Sequence, residues 1–378
     1  MAYLIGEVTK ELLETVQEFC EKEVRDLCRE CDRSGDVPLG LFRQAMELQF
    51  HMLDIPECYG GLGLDKISAG ALLEEMAKAD AGFAVTFAAS SLGLKPILFA
   101  GSEELKKEAC ALLEQGGLGA FCLTEPEAGS DAGAIKTRAE KRDGAYLLNG
   151  RKCFITNGSI ASFYSVAALT ENGEGKKEIS MFFVRADAEG VKAGGHEDKM
   201  GIRTSDTCDV IFENVLVPER NRIGMEGQGF ETAMKALDEA RAFMGCVAVG
   251  IAQRALEEAV AYTAIRKQFG KPLNRNQGMQ FKLAGMAMQT EAGRQMTAYA
   301  LTRMEQGISF KKEAAMAKCC ASDAAVKVTQ EAVQCFGGYG YSREYPVEKL
   351  LRDAKIFQIF EGTNEILKTI IAREIQTF

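Results

Sequence analysis

Apolar side chains recur at three- and four-residue steps from Glu11 to Cys31 (Leu12, Leu13, Val16, Phe19, Cys20, Val24, Leu27), which predicts an amphipathic helix. Leu41–Leu53 and Ile67–Ala79 carry the same period. The Ile55–Gly63 segment between them, with Pro56, Gly60, Gly61 and Gly63, has turn chemistry. Between about residues 120 and 222 the period changes. Tyr146–Gly150, Phe163–Leu169, Ile179–Val184 and Asp209–Phe212 are short β-like runs, bounded by Arg142-Asp143-Gly144 and by Glu171–Gly175. Beyond 223 the pattern is helical again. Phe230–Thr263 has small and apolar residues all round and predicts a buried helix. Gln277–Gln306, Lys312–Phe336, Pro346–Phe357 and Glu365–Ile375 follow. The expected architecture is α+β: a helical domain over 1–119, a β-barrel or sandwich over 120–222 and a helical domain over 223–378. No repeat of fixed period is present.

Composition narrows the function. A chain of 378 residues has room for two or three domains at ~150 residues each. Its 54 acidic against 45 basic residues argue against nucleic acid and anionic membranes as partners. Hydrophobic residues at 47% exclude wholesale disorder. No run of 18 apolar residues and no leader pattern occur, so we expect no membrane span and a cytoplasmic protein. The 12 cysteines are scattered. Cys28-x-x-Cys31 has no second pair, so we expect reduced core thiols and no metal site. His51 and His196 are the only histidines, which leaves carboxylates or a cofactor to do most of any chemistry.

Neither a G-x-G-x-x-G after a strand nor a G-K-[ST] triplet occurs. Five segments carry candidate chemistry. Phe121–Asp131 supplies hydroxyls, amides and glycine suited to a polar ring edge or phosphate; a capped loop is the ordinary reading. Phe154-Ile155-Thr156-Asn157-Gly158 puts an aromatic and a hydroxyl on one strand face, where a flat cofactor stacks or a core Phe packs. Arg266–Gly270 reads as a helix end with a basic patch and a glycine stop. Gln334–Gly340 ends another helix with glycines that permit close backbone approach. Phe360-Glu361-Gly362 sets one carboxylate between apolar residues and glycine, which raises its pKa toward a general base or simply starts the next helix.

In this order and spacing, these blocks resemble the acyl-CoA dehydrogenase family over essentially the whole chain. Lys199-Met200-Gly201…Ser205-Asp206-Thr207 and Arg352-Asp353-Ala354-Lys355-Ile356 belong to the same resemblance. It implies a helical N-terminal domain, a central β-barrel domain and a C-terminal four-helix bundle. It also implies a homotetramer with one FAD per subunit, an acyl-CoA substrate and electron-transferring flavoprotein as acceptor. By that resemblance Phe121, Leu123, Thr124, Gly129, Ser130, Phe154, Ile155 and Thr156 hold the flavin. Phe154 stands where many members have Trp. Arg266, Gln268, Phe269 and Gln334, Cys335, Phe336, Gly337, Gly338 bind the adenine dinucleotide part across a subunit contact. Asn276, Gln277, Thr363, Asn364 and Glu365 fall at further flavin positions. Ser130, Asp238, Arg241, Gly362 and Arg373 fall on the substrate side.

Glu361 matches the family's base, which takes the acyl α-proton while the β-hydride moves to flavin N5. Some members carry the base directly before the Arg of the buried helix. Ala240 stands there, and Glu239 is one residue out of register. In the family a ribityl hydroxyl and the base's own backbone N–H stabilise the enolate oxygen. The direction of the reaction stays open, as does a flavin oxidase on the same fold. Glutaryl-specific members place an arginine within the stretch matching Ala81–Ser91; this chain has no base there before Lys95, so we expect an uncharged short to medium or cyclic acyl group. Phe83 and Phe87 share a helix face and either shape the acyl pocket or pack in the core.

Overall fold

A computed structural model describes residues 6–171 and 175–376. Expectations at Met1–Ile5 and Asn172–Glu174 lie outside the described residues. Helix α1 (Glu7–Phe19) runs through a π turn at Cys20–Val24 into α2 (Arg25–Ser34), then α3 (Leu39–Glu47), α4 (Lys66–Ala79), α5 (Ala81–Ala100) and α6 (Glu103–Glu114). The middle of the chain forms β1 (Gly119–Cys122), β2 (Arg138–Arg142), β3 (Ala145–Thr156), β4 (Phe163–Glu171), β5 (Lys177–Arg185), β6 (Val191–His196), β7 (Thr207–Pro218) and β8 (Arg222–Ile223). Helix α7 (Gly229–Ile265) leads into a hairpin, β9 (Lys267–Gln268) and β10 (Lys271–Pro272). Helices α8 (Gln277–Glu305), α9 (Lys311–Phe336), α10 (Val347–Ile356) and α11 (Asn364–Ile375) complete the chain.

The eight-stranded sheet runs β6-β7-β3-β2-β4-β5-β8, with β1 parallel on β4. It folds over its own core of Tyr146, Leu148, Val166, Phe182, Phe212 and Val217. The other face of β4 and β5 is covered too: Phe163, Met181 and Phe183 pack on Leu94, Ile97 and Leu105 of α5 and α6. Burial on both faces is why these strands read as unbroken apolar runs. The terminal helical regions share one core, which holds Phe83 and Phe87 of α5 together with Val247, Leu301 and Val328 of α7, α8 and α9. Helix α5 is long and apolar enough to cross a membrane, but 78% of its most apolar window is buried inside the protein, as a core helix is.

The predicted helix end at Arg266–Gly270 is a hairpin instead. Helix α7 stops at Ile265, and Phe269 and Gly270 turn with φ of 52° and 78°. Two consecutive positive φ values between paired strands give the turn whose twist matches a hairpin.

All three regions meet at one buried ionic node. Asp80, between α4 and α5, caps α5 through the Phe83 N–H (2.8 Å) and accepts from Thr204 Oγ1 (2.5 Å) and Lys349 Nζ (2.7 Å). Lys349 also donates to Asp353 (2.5 Å), whose other oxygen accepts the Ile202 N–H (2.6 Å). Burial alone would raise the Asp80 carboxyl; Lys349 and the other donors hold it below the ordinary value, and the two carboxylates push the Lys349 ammonium up. Next door Arg352 grips Asp32 with two hydrogen bonds (2.9 and 2.7 Å) and donates to Met200 O (3.0 Å). A Cβ on Gly201 would sit 2.4 Å from Arg352 O, and one on Gly82 2.1 Å from Thr204 Oγ1. Close approach at this node therefore requires both glycines. We predict that Lys349→Met, which strands two buried carboxylates, lowers unfolding free energy by about 3–5 kcal/mol. A loss below about 1 kcal/mol by urea unfolding would show that the node is not a structural centre.

Candidate active site

A cavity of about 760 Å³ opens between the β domain and the C-terminal helices. Phe121, Leu123, Thr124, Gly129, Ser130, Phe154, Ile155 and Thr156 line one side, and Leu237, Arg241, Glu361, Gly362 and Thr363 another.

The first wall is braced from behind. Glu125 is buried and accepts from Lys152 Nζ (2.8 Å), Thr137 N–H (3.0 Å) and Lys136 N–H (2.6 Å). Lys152, fully buried, also donates to Leu123 O (3.0 Å), and Cys153 N–H donates to Thr124 O (3.0 Å). The Glu of the Thr-Glu-Pro loop is thus a strut that leaves Thr124 and Ser130 facing the cavity. Strand β3 slips register between Lys152 and Ile155, and Phe154 takes φ of 55°. This bulge turns its ring outward, 66% exposed, into the cavity. An aromatic residue held in the left-handed region is strained, and such strain gathers at functional sites.

The opposite wall rests on Glu361, which has φ of 53°, followed by Gly362 at 95°. Two buried cations hold this turn by its carbonyls. Arg241 Nε donates to Glu361 O (3.3 Å), and Lys318 Nζ donates to Gly362 O (2.8 Å) and Asn364 Oδ1 (3.1 Å). The amide of Asn364 also reaches Ser322 Oγ (3.0 Å) and Asp323 Oδ1 (2.9 Å), so it is committed inside the helices and does not line the cavity. Thr363 caps α11 through the Ile366 N–H (3.3 Å). Glu361 Oε2 reaches no solvent and has no hydrogen-bond partner. Burial pushes the Glu361 carboxyl up to about 7, against the pull of Lys318 and Arg241. Burial likewise lowers Lys318 to about 8. Asp238 does not line the cavity; it pairs with Arg241 and so holds that guanidinium in place. Arg373 is exposed on α11, and Glu365 also lies outside the lining.

Lys318 escaped the sequence reading. Its signal was a lone lysine within Ala314-Ala315-Met316-Ala317-Lys318-Cys319, where only a satisfied charge can be buried. Val85 and Ala89 come from the Ala81–Ser91 stretch, whereas Leu92, Met234, Met244, Ile366 and Ile370 were missed, because apolar lining and apolar core look alike in sequence. Phe83 and Phe87 belong to the core, on the face of α5 away from the cavity. Glu239 lies outside the cavity lining.

The remaining candidates form a separate cluster where α7 and α9 end and α8 begins. Arg266 stacks on Tyr339 (5.3 Å), Cys335 Sγ lies 3.5 Å from Met279 Sδ, and Phe336 stacks on Tyr262 (3.9 Å). Asn276 precedes α8, Gln277 begins it, Gln334 lies in the last turn of α9, and Gly337 and Gly338 follow it. In the same segments Ile265 (77%), Phe269 (95%) and Tyr341 (90%) are exposed.

Residues 6–116, 120–215 and 227–376 match the N-terminal, middle and C-terminal domains of acyl-CoA dehydrogenase. A Bacillus subtilis acyl-CoA dehydrogenase is 44% identical over 360 residues, 95% of each chain. The structure of butyryl-CoA dehydrogenase from Megasphaera elsdenii superposes with a TM-score of 0.96 at 43% identity, covering all of both chains. A chain in a structure described as the electron transferring flavoprotein of Acidaminococcus fermentans superposes at 0.97 with 41% identity, again over both full chains. The matched domains tile the helical, β and helical regions described above, and FAD is the cofactor of such enzymes. The chain therefore belongs to the acyl-CoA dehydrogenase family, flavin-dependent oxidoreductases acting on acyl-CoA thioesters.

Proposed function

We propose that this protein oxidises an uncharged acyl-CoA to the 2,3-enoyl-CoA, with Glu361 as the base for the α-proton. The observation that carries this is Glu361 in the cavity lining, its Oε2 buried and unpartnered and its carboxyl raised to about 7. A base poised near working pH combines adequate ionisation with adequate driving force. The residues fit FAD: an outward Phe154 ring, the Thr124 and Ser130 hydroxyls, and open space beside Gly129. Bound FAD supplies the acceptor for the β-hydride. The chain's own residues do the rest. Arg241 and Lys318 fix the base turn by its carbonyls, and the apolar walls keep water from the carboxylate. No cation of α5 faces the acyl end; its one lysine, Lys95, is paired inside with Asp54.

We read the exposed cluster of Arg266, Gln268, Phe269 and Gln334–Gly338 as completed by a second subunit of a homotetramer, which shares the dinucleotide. The electron-transferring flavoprotein in the description of one structural relative supports that class of protein as electron acceptor. The cysteines, ten of them buried, fit a reducing cytoplasm.

Glu361→Gln should slow flavin reduction by roughly 10²–10⁴ while FAD and acyl-CoA stay bound. Retention of more than about a tenth of the wild-type rate would move the base elsewhere. In the wild type, the reduction rate should rise with pH through about 7, as Glu361 ionises. Stability should follow the opposite sign. With a folded value near 7 against 4.5 unfolded, Glu361 favours the folded state below pH 4.5 and loses that contribution as pH rises to 7. Glu361→Gln should therefore match wild type near pH 4.5 and exceed it by about 3 kcal/mol at pH 8. Equal stability at both pH values would contradict a raised carboxyl.

Glutaryl-CoA should be rejected relative to butyryl-CoA, since a buried carboxylate without a partner costs several kcal/mol. A higher kcat/KM for glutaryl-CoA would mean that a base from another segment reaches the acyl end.

A further inference from the structure

The segment that carries Glu361 is a closed loop. It leaves α10 after Ile356 and enters α11 at Asn364, whose N–H donates back to Gln358 O (3.0 Å). Residues 358–364 thus close on themselves, with Glu361 three residues from either foot. Both feet also reach one atom of α9. Gln358 Nε2 donates to Asp323 Oδ1 (2.6 Å), and Asn364 Nδ2 donates to the same oxygen (2.9 Å). Asp323 itself is exposed and lies outside the cavity lining.

Asn364 is locked around this contact. It is buried, its amide nitrogen also donates to Ser322 Oγ (3.0 Å), and its Oδ1 accepts from Lys318 Nζ (3.1 Å). An ammonium only donates and a carboxylate only accepts, so the amide has one orientation. Lys318, Ser322 and Asp323 all belong to α9, so a single helix holds the loop. The loop needs that hold, because Glu361 has φ of 53° and a non-glycine residue keeps such a value only where its surroundings impose it. The carbonyl clamps of Arg241 and Lys318 act at the apex of the loop; Asp323 sets the distance between its feet. Resting on the reading of Glu361 as the base, we infer that Asp323 is a positioning residue for the reaction: it draws Gln358 and Asn364 onto one oxygen and so fixes where the Glu361 carboxylate meets the acyl α-carbon. What it contributes is an oxygen that accepts twice. An amide oxygen has the same two lone pairs, so the charge is dispensable.

The test measures anaerobic flavin reduction in FAD-loaded protein, using whichever straight-chain thioester from butyryl- to decanoyl-CoA reduces the wild type fastest. Asp323→Ala should lower the limiting rate by roughly 10–10²-fold and leave the half-saturating concentration unchanged, because a base misplaced by about 1 Å loses transition-state contact and not substrate binding. Asp323→Asn, which keeps the oxygen and drops the charge, should restore most of the rate. Gln358→Leu should cost less than Asp323→Ala, and combining the two should cost no more than Asp323→Ala alone, as for groups that act through one contact. Position 323 is exposed, and retained FAD reports folding. An unchanged rate in Asp323→Ala would overturn the inference. So would an equal loss in Asp323→Asn, a rise in half-saturation that accounts for the loss, or effects of the two substitutions that multiply. Glu361→Gln in the same assay separates the two readings. Flavin reduction that survives there, or a wild type that no thioester reduces, would overturn the base assignment; its loss there beside an unaltered Asp323→Ala would overturn the positioning role alone.

Discussion

One lysine between two aspartates holds the three regions in register. Lys349 brings Asp80 of the N-terminal helices and Asp353 of the C-terminal helices together, and both aspartates also take donors from the Ile202–Thr204 loop of the β domain. Buried ions tolerate little misplacement, since removing any one partner leaves an uncompensated charge. The node therefore fixes α10 in space, and the base turn follows α10 within five residues. A hydrophobic contact there would allow sliding; this arrangement does not.

The base turn depends on a second balance. Glu361 must be dry enough to hold its proton near neutrality, yet two cations stand close by. The geometry resolves this by spending both cations on backbone carbonyls, so that they fix position while the carboxylate oxygen stays unpartnered. Their charge still moderates the rise that burial imposes. The left-handed φ of Glu361 has the same origin, because the turn is clamped from two helices at once.

Much of this was legible in the sequence, and the illegible parts have physical reasons. Helices α8, α9 and α11 fall within a residue or two of their periodic patterns, as do the cores of β4 and β5. Strand β2 went unread because Arg138–Arg142 exposes every residue except Ala139, which leaves no alternation to detect. Strand β6, with Gly194 and Gly195, lacks β-branched side chains after Val191. The hairpin at Phe269 was missed because a bulky residue rarely occupies its turn position. Glu361 stood out by its apolar flank and following glycine. The charges beneath it did not, for Lys318, Lys349 and Asp80 find their partners 44, 269 and 124 positions away. Pairing at that range is a property of the fold and leaves no local trace.

Helix α7 is a ruler. Its 37 residues span about 55 Å, with Arg241 about a third of the way along and the Arg266 hairpin just past its C-terminal end. Inserting a single residue would advance everything beyond it by about 1.5 Å and rotate it by about 100°. Loops such as the turn at Asp143-Gly144 can lengthen without consequence for either cluster. The separation between the cavity and the exposed cluster at the helix ends can change only in whole turns, so drift in chain length is absorbed everywhere but along this axis.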